Sequence, residues 1–271
     1  MHSPGAVVGA AATRAGGHEG SHEPIGRVGI VVALAREARA FAPDIASRDA
    51  LQDGSVHGLA DAMLTVSGMG WDAAAAAARR LVQAGAMALA SVGTAGALDR
   101  ALESGAIMLP EEVVAPEGDA LPTHALWWQA LSQVLPRGQV YAGRLLTTRL
   151  PLGLRLDKAI ARRETACVAL DMESAAIAQV AAGAGLPFIA VRVIVDTAGE
   201  DLPGAVLAAS AQAKVSTGRL LAGLARAPWE VGAVIHLAGR FRTACAVLSG
   251  IGEPGLPARR ALTELNWERP R

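Results

Sequence analysis

Uninterrupted apolar runs recur along the chain, without alternation between polar and apolar positions. The first covers residues 28–34, and similar runs follow at 63–66, 87–92, 106–109, 140–146, 168–172 and 188–195. A short apolar run of this kind is typical of a strand that is buried on both faces, as in a parallel sheet. The pattern therefore predicts a mostly parallel sheet.

Segments rich in helix-forming residues separate several of these runs. Residues 71–84 and 173–184 are rich in alanine, and residues 156–164 are short and charged. The second alanine-rich segment stops at Gly185, with Pro187 just beyond, which is a typical helix end. Alternating strands and helices predict a single three-layer α/β/α domain, which we place at residues 26–204.

The two ends of the chain differ from this central part. Residues 1–25 predict a disordered leader, in which His2, His18 and His22 are interpreted as solvated rather than metal-binding. Helical patterns at 205–226 and 229–248 predict C-terminal helices, over residues 205–250, that pack on the domain. Residues 251–271 contain Pro, Gly and Arg and predict a loose tail. No apolar run approaches the ~18 residues of a membrane-spanning helix.

Composition excludes several classes of protein. With 52% hydrophobic and 18% charged residues, the 271-residue chain is not intrinsically disordered. Its 25 basic and 25 acidic residues give zero net charge, which argues against a nucleic-acid partner. Cys167 and Cys245 supply neither a disulfide framework nor a zinc site, so a reducing, cytoplasmic location is expected. No metal or organic cofactor is predicted.

Chemically capable residues follow the ends of three predicted strands. These are Glu37, the glycine-rich turn at residues 91–96 (SVGTAG), and the acids Glu173 and Asp196, which lie 23 positions apart. Ligands of open parallel sheets bind outside the carboxyl ends of the strands. A buried carboxylate is costly unless it is paired or hydrogen-bonded, so it often has a function. Each feature also has a purely structural interpretation. Glu37 would be an acid in the first turn of a helix, residues 91–96 would be a plain tight turn, and the last two acids would be a capping acid and a salt-bridged acid.

These pieces carry a resemblance to the nucleoside phosphorylase/nucleosidase superfamily, and to its methylthioadenosine/adenosylhomocysteine nucleosidase branch. The chain from Val28 to about Pro203 is similar in the order and spacing of its motifs. They are the first strand through Glu37, SGMG at 67–70, VGTAG at 92–96, DMESAAIA at 171–178, and residues 187–198. The block at 171–174 and the C-terminal extension, with Trp229, resemble the hopanoid-associated subgroup.

The resemblance implies a function and a set of roles. It implies cleavage of the N-glycosidic bond of a 5′-substituted adenosine, adenosylhopane in hopanoid side-chain biosynthesis, with water as nucleophile. Asp196 would protonate purine N7, Glu37 would activate water, and Glu173 would bind the sugar hydroxyls. Further substrate-binding residues would be Met172 under the sugar, and Thr94, Gly93, Val195 and Leu150. The alternatives are phosphorolysis of the same substrate and a methylthioadenosine/adenosylhomocysteine nucleosidase.

The chain also departs from the family patterns. Phosphorylases of the superfamily carry two phosphate-binding arginines, where this chain has Glu37 and Ser91. Nucleosidases carry an adenine-stacking aromatic, where ungapped spacing puts residues 147–150 and hence Leu150. The segment at 114–146 is short, so residues 126–131 are interpreted either as an apolar lid over the site or as an ordinary core helix.

The resemblance further implies a homodimer and a small-molecule purine nucleoside as substrate, one that can be lipid-linked. Residues 229–242 are apolar with a basic end, which is typical of an interfacial helix, so peripheral contact with the inner face of the membrane is one interpretation. Packing of this helix on the domain is the other. A non-catalytic binding module and a dinucleotide-binding protein are alternative classes; the second lacks the third glycine and the acid that its fingerprint requires.

Overall fold

The computed structural model describes residues 27–43, 45, 54–136, 138–210 and 217–264, within which a large sheet is flanked by helices. The strands are β1 (Val28–Val32), β2 (Val56–Gly58), β3 (Ala62–Val66), β4 (Ala88–Ala97), β5 (Ile107–Met108), β6 (Glu112–Val114), β7 (Ala120–Pro122), β8 (Val140–Tyr141), β9 (Arg144–Thr147), β10 (Ala169–Asp171) and β11 (Phe188–Asp196). The helices are α1 (Ala35–Phe41), α2 (Trp71–Gln83), α3 (Ala125–Val134), α4 (Arg155–Thr165), α5 (Ser174–Gly183), α6 (Gly204–Ser210), α7 (Thr217–Arg226), α8 (Val231–Gly252) and α9 (Pro257–Thr263).

The centre of the sheet is parallel, as the apolar runs predict. β3, β1, β4 and β11 are neighbours in that order, and Val28 of β1 pairs with Ala62 on one side and Ala88 on the other. β4 also pairs with β10, beyond which β9, β6 and β7 follow, while β5 and β8 continue from β11. Six of the ten pairings between described strands are parallel, so the predicted fold class is confirmed.

Each central strand is buried on both faces because a layer of helices covers each side. Val28, Ile30 and Val32 of β1 belong to one hydrophobic core, whereas Val31, between them, belongs to the other. Helices α1, α3, α8 and α9 cover the first face, and the alanine-rich α2 and α5 cover the second. Small side chains let α2 and α5 approach the sheet and each other closely. The three-layer arrangement is therefore the one predicted.

Short strands at the edges of the sheet escape the apolar pattern. β2, β6 and β7 have three residues each, and each contains residues that are only partly buried. A strand this short that contains a polar or exposed position leaves no detectable apolar run in the sequence. The predicted run at 140–146 is divided into β8 and β9 at Gly143, whose φ of +123° favours glycine.

The carboxyl-terminal helices are part of the domain rather than an appendage. Ala244, Leu248 and Ile251 of α8 are buried in the first core, against α1 and β11. The helix predicted at 205–226 consists of α6 and α7, whose connection at 211–216 lies outside the described residues. The predicted leader at 1–25 also lies outside them.

The prediction of a loose tail over residues 251–271 is wrong for the segment up to residue 263. α9 is packed, with Ala258 and Leu262 buried one helical turn apart. The buried Arg259 donates to both carboxylate oxygens of Asp61, at 2.8 and 2.6 Å. A single turn of apolar spacing is too short to stand out beside Pro, Gly and Arg. Residues 265–271 lie outside the described part.

The apolar residues predicted as a lid belong to α3, and all but the exposed Leu126 pack in or against the core. Trp127 and Leu131 are fully buried in the core that α8 and α9 share. The Trp127 indole Nε1 donates to the Ala261 carbonyl oxygen at 3.0 Å. The lid interpretation is therefore wrong, and the alternative, a core helix, is correct. The partner of these side chains is α9, which the sequence pattern does not predict.

Among the described residues, the segment Pro228–Gly252 is long and apolar enough to cross a membrane by length and composition alone. The sequence pattern missed it because Arg240 and Arg242 interrupt the apolar run, whereas mean hydropathy averages over them. The second half of α8 packs on the sheet, while its first half is largely exposed. This distribution differs from that of a helix surrounded by lipid.

Candidate active site

A cavity of about 370 Å³ opens at the carboxyl ends of the central strands, between the sheet and α6, α7 and α8. Its size lies within the range of small-molecule sites. One part of its wall is charged and the other is apolar. The charged part consists of Arg36, Glu37, Asp171, Glu173, Arg192 and Asp196.

Glu37 is held rigidly at the first turn of α1. Its Oε1 accepts hydrogen bonds from the Thr94 amide at 2.9 Å and the Thr94 hydroxyl at 2.6 Å. Its Oε2 accepts from the Leu34 amide at 3.0 Å. Burial raises the pKa of Glu37 above its ordinary value, and the Thr94 donors and the charge of Arg192 offset this only in part. A carboxylate in this state is a stronger base than an exposed one.

Two glycines of the turn at 91–96 are required by the charged groups beside them. A Cβ on Gly93 would lie 2.6 Å from Nη1 of Arg192 and 3.2 Å from Oε2 of Glu37. A Cβ on Gly96 would lie 3.0 Å from Oδ2 of Asp196. The glycines therefore admit side-chain charges close to the backbone of β4.

Glu173 lies at the N-cap of α5, just beyond the end of β10. Its Oε1 accepts from the amide of Gly70 at 2.8 Å, and Gly70 adopts a φ of +95° in the turn before α2. Burial raises the pKa of Glu173 to about 7; the carboxylates of Asp171 and Glu37 add to this and Arg192 opposes it. Near neutral pH this group therefore changes between a hydrogen-bond donor and an acceptor.

Arg192 lies beneath the site and links its anchoring groups. Its Nη2 is 2.7 Å from Oδ2 of Asp171 and 2.7 Å from the hydroxyl of Ser91, and it also donates to Ser174 at 3.0 Å. Oε2 of Glu173 is more distant, at 3.8 Å. Since the guanidinium is buried and its Nε and Nη2 donors are engaged, it anchors the site from below.

Asp196 ends β11 opposite Gly96. Its Oδ2 accepts a hydrogen bond from the ammonium group of Lys158, on α4, at 2.6 Å. Lys158 is completely buried, whereas 15% of the Asp196 side chain is exposed. The carboxylate thus has one oxygen held by a cation and an exposed edge at the cavity.

The C-terminal helices supply part of the apolar wall of the cavity. Val234, Leu237, Ala238 and Phe241 of α8 share one face of that helix and line the cavity. Further apolar lining comes from Pro151, Leu152, Leu170, Leu202, Val206 and Leu220.

Most of the residues predicted from sequence meet in this cavity. Its lining includes Asp196, Glu37, Glu173, Met172, Thr94 and Val195. Gly93 lies behind the wall, against Glu37 and Arg192. Leu150 is misplaced by the prediction, because its side chain is 68% exposed and does not line the cavity. The Thr148 hydroxyl donates to the Leu150 carbonyl in a tight turn, and Leu152 turns inward instead.

Several site residues were not predicted. Lys158 is one of four basic residues on α4, and nothing in the sequence separates it from the others. The apolar spacing at 234, 237, 238 and 241 is visible in the sequence and indicates one helix face, but not what that face covers. Among the described residues, no cluster of three His, Cys, Asp or Glu side chains is arranged to hold a metal ion.

The fold and the site define a nucleoside phosphorylase/nucleosidase type of protein. The family described as "Phosphorylase superfamily" matches residues 27–226. Because this is most of the chain, the protein belongs to the phosphorylase superfamily and is an enzyme of the nucleosidase or nucleoside phosphorylase class. A search of curated protein sequences finds no match.

Solved structures agree with this fold. The chain is similar to the 5′-methylthioadenosine/S-adenosylhomocysteine nucleosidase of Helicobacter pylori, with 14% identity, a TM-score of 0.64, and coverage of 89% of this chain and 99% of that one. The corresponding nucleosidase of Neisseria meningitidis is 18% identical, with a TM-score of 0.57 and coverage of 82% of this chain and 95% of that one. The futalosine hydrolase of Helicobacter pylori is 16% identical, with a TM-score of 0.57 and coverage of 75% of this chain and 98% of that one.

Proposed function

We propose that this chain uses water to cleave the N-glycosidic bond of a 5′-substituted adenosine, releasing adenine. One observation carries the proposal: Glu37, Glu173 and Asp196 come from three distant parts of the chain and line one cavity. Membership of the phosphorylase superfamily supports it. The similar structures named as nucleosidases and as a futalosine hydrolase support hydrolysis.

Asp196 is the proposed general acid. Cleavage builds positive charge on the ribose and negative charge on the departing purine, so a proton delivered to N7 lowers the barrier, by about 10²–10⁴-fold. Asp196 ends β11 at the cavity, and the absence of a side chain on Gly96 leaves its carboxylate close to β4. Val195, immediately before it, contributes apolar lining on the same side.

Glu173 is the proposed ligand of the ribose hydroxyls, and Met172 packs beneath the sugar. An ionised carboxylate accepts two hydroxyl hydrogen bonds, and the Gly70 amide fixes the carboxylate of Glu173 at 2.8 Å. Glu37 is the proposed base that takes a proton from the attacking water. Its raised pKa makes it suitable, and the two donors from Thr94 orient its Oε1.

The charge of the cavity favours water over phosphate. Its lining holds four carboxylates against two guanidinium groups, one of which, Arg192, is engaged by Asp171, Ser91 and Ser174. A phosphate beside Glu37 would experience a repulsion of about 4 kcal/mol at 4 Å and an effective dielectric constant of 20. Arg36 is the remaining cation of the lining, so phosphorolysis is the alternative that the assay must test.

The apolar wall favours an apolar 5′ substituent, and we propose adenosylhopane as the substrate. The α8 face of Val234, Leu237 and Phe241 lies beyond residue 226, where the family match ends. A cavity of about 370 Å³ accommodates a nucleoside. A long lipid group would extend from it along α6, α7 and α8. A methylthioadenosine/adenosylhomocysteine nucleosidase is the alternative.

We also propose that the outer face of α7 and α8 contacts anionic lipid at the inner face of the membrane. Trp229, in the turn between the two helices, is 79% exposed, and Ile235 of α8 is 67% exposed. Leu221 of α7 and Val231 of α8 are also exposed. The exposed Arg226 and Arg242 supply positive charge at this surface. The inward face of α8 lines the cavity, so a lipid-linked substrate and a lipid surface would lie on the two faces of one helix.

The decisive assay incubates the protein with adenosine, methylthioadenosine or adenosylhopane, with and without phosphate, and identifies adenine and the sugar product. We expect the fastest release of adenine from adenosylhopane, with a free sugar and no requirement for phosphate. A sugar 1-phosphate formed only with phosphate would establish phosphorolysis, and preference for methylthioadenosine would establish the alternative substrate. Asp196→Asn is the control and should lose about 10²-fold or more in rate. An active Asp196→Asn variant would refute the general-acid assignment.

Co-sedimentation with anionic liposomes tests the membrane contact. Trp229→Ser and Ile235→Ser should each reduce sedimentation, whereas Leu126→Ser, which removes an exposed leucine from α3, should not. Equal sedimentation of all variants, or none by the wild type, would refute the proposal. Light scattering of the purified protein tests the expected homodimer.

A further inference from the structure

Lys158 is a buried lysine that the catalytic roles above do not use. It lies in the first turn of α4, and its side chain has no exposed surface. Its ammonium group donates to Oδ2 of Asp196 at 2.6 Å, to the Thr197 carbonyl at 2.9 Å and to the Glu200 carbonyl at 3.2 Å. All three of its donors are therefore engaged, on Asp196 and on the loop that follows β11.

The burial of Lys158 at this position costs free energy, which points to a function for the residue. Burying an ammonium group carries a desolvation penalty, and the N-terminal turn of a helix disfavours a positive charge. A salt bridge of two buried groups is seldom needed for stability alone. The Asp201 carboxylate also accepts from the Arg155 amide at 2.7 Å, so the loop is attached to α4 at two points.

The contact leaves the other oxygen of Asp196 available. Among the described residues, no side chain or amide donates to Oδ1 of Asp196 within hydrogen-bonding distance. A carboxylate that is fixed through Oδ2 presents Oδ1 in one orientation, which is what proton transfer to a purine nitrogen needs.

We propose that Lys158 is the positioning residue of Asp196: it fixes the carboxylate and the loop after β11 so that Oδ1 faces the purine in one orientation. This inference rests on the proposed function, in which Asp196 is the acid. The charged or titratable groups near this carboxylate, from α4, the loop and α8, are Lys158, Arg155, Glu200, Asp201, His236 and Arg240. Of these, Lys158 is the one in contact with it.

Kinetics of Lys158→Met test the proposal. We expect kcat to fall about 10–100-fold with KM nearly unchanged, because misplacement of a reacting group mainly affects the chemical step. Lys158→Arg keeps a hydrogen-bond donor and the positive charge beside Oδ2 of Asp196, and should recover part of the lost kcat. If Lys158→Met does not fold, Lys158→Gln serves the same test.

Arg162→Met is the matched control. It removes another cation of α4, paired with Asp99 at 2.9 Å, and should leave kcat and KM unchanged. In an Asp196→Asn background, Lys158→Met should cause no further loss in kcat. An active wild type together with an unchanged kcat in Lys158→Met, or with additive losses in the double variant, would overturn this inference alone. A wild type that releases no adenine from any 5′-substituted adenosine would overturn the proposed function and the inference with it.

Discussion

Glu173→Gln should stabilise the folded protein above neutral pH while it lowers activity. Burial raises the pKa of Glu173 to about 7, and the nearby carboxylates of Asp171 and Glu37 contribute. The folded protein therefore binds a proton at this site more tightly than the unfolded chain does. Between pH 4.5 and about 7, the free energy of unfolding should fall as pH rises, because ionisation is costly only in the folded state.

The size of the effect follows from these two values. The difference between 4.5 and about 7 corresponds to about 3 kcal/mol, at about 1.4 kcal/mol for each tenfold change in proton affinity. Glutamine accepts the hydrogen bond from Gly70 but loses the attraction of Arg192 at 3.8 Å, so this figure is an upper bound. In a chain of this size it corresponds to a Tm increase on the order of 5–10 °C.

Thermal unfolding of both proteins from pH 5 to pH 8.5 measures the effect. Glu173→Gln should gain stability relative to wild type as pH rises and then level off above about pH 7. Asp61→Asn is a control of opposite sign, because the hydrogen bonds and charge of Arg259 outweigh burial and lower the pKa of Asp61. That variant should lose stability at pH 8. A Glu173→Gln variant that is less stable than wild type at pH 8, or that keeps the wild-type pH slope, would refute the reasoning.

Three further predictions concern activity. The rate should rise with pH through a value above the ordinary glutamate range, because Glu37 must be ionised to accept a proton; a kcat–pH profile that is flat from pH 4.5 upward would contradict this. A 2′,3′-dideoxy substrate should react slowly with wild type but show little additional loss with Glu173→Gln, whereas additive losses would remove Glu173 from the sugar hydroxyls. Gly93→Ala should lower kcat about 10²-fold, because its Cβ would lie 2.6 Å from Nη1 of Arg192. Gly239→Ala, with no atom within 4 Å of its added Cβ, should retain activity, and equal losses in both variants would refute the steric argument.

Apolar patterning predicted the interior of the sheet well, because both faces of its central strands are covered. β1 shows this directly, since alternate residues enter the two cores and every position must therefore be apolar. The same logic fails at the edges, where β2, β6 and β7 are short and half-covered. It also fails for α9, whose burial depends on the contact of Arg259 with Asp61, nearly 200 positions away.

The acids of the site were predictable because each lies at, or shortly after, the carboxyl end of a strand, where the backbone places it at the ligand edge of the sheet. Leu150 was assigned by ungapped spacing, and a single turn at Thr148 was enough to exchange it for Leu152. Lys158 could not be singled out, because a charged helix surface and a buried cation have the same sequence pattern. Lys158 is distinguished by its contact with Asp196, which is 38 positions away in the sequence.

Under the proposed function, catalysis and the choice of substrate depend on different parts of this chain. The candidate acids, the glycine turn and Lys158 all lie within residues 27–226, where the family match ends. The α8 face at 234–241 lies beyond it and supplies apolar wall but no charged group to the cavity. Substitution of Phe241 should therefore change the preference among 5′ substituents without altering the proposed proton transfers at the purine and the attacking water. Such a division allows the carboxyl-terminal helix to vary in sequence while the catalytic edge of the sheet stays fixed.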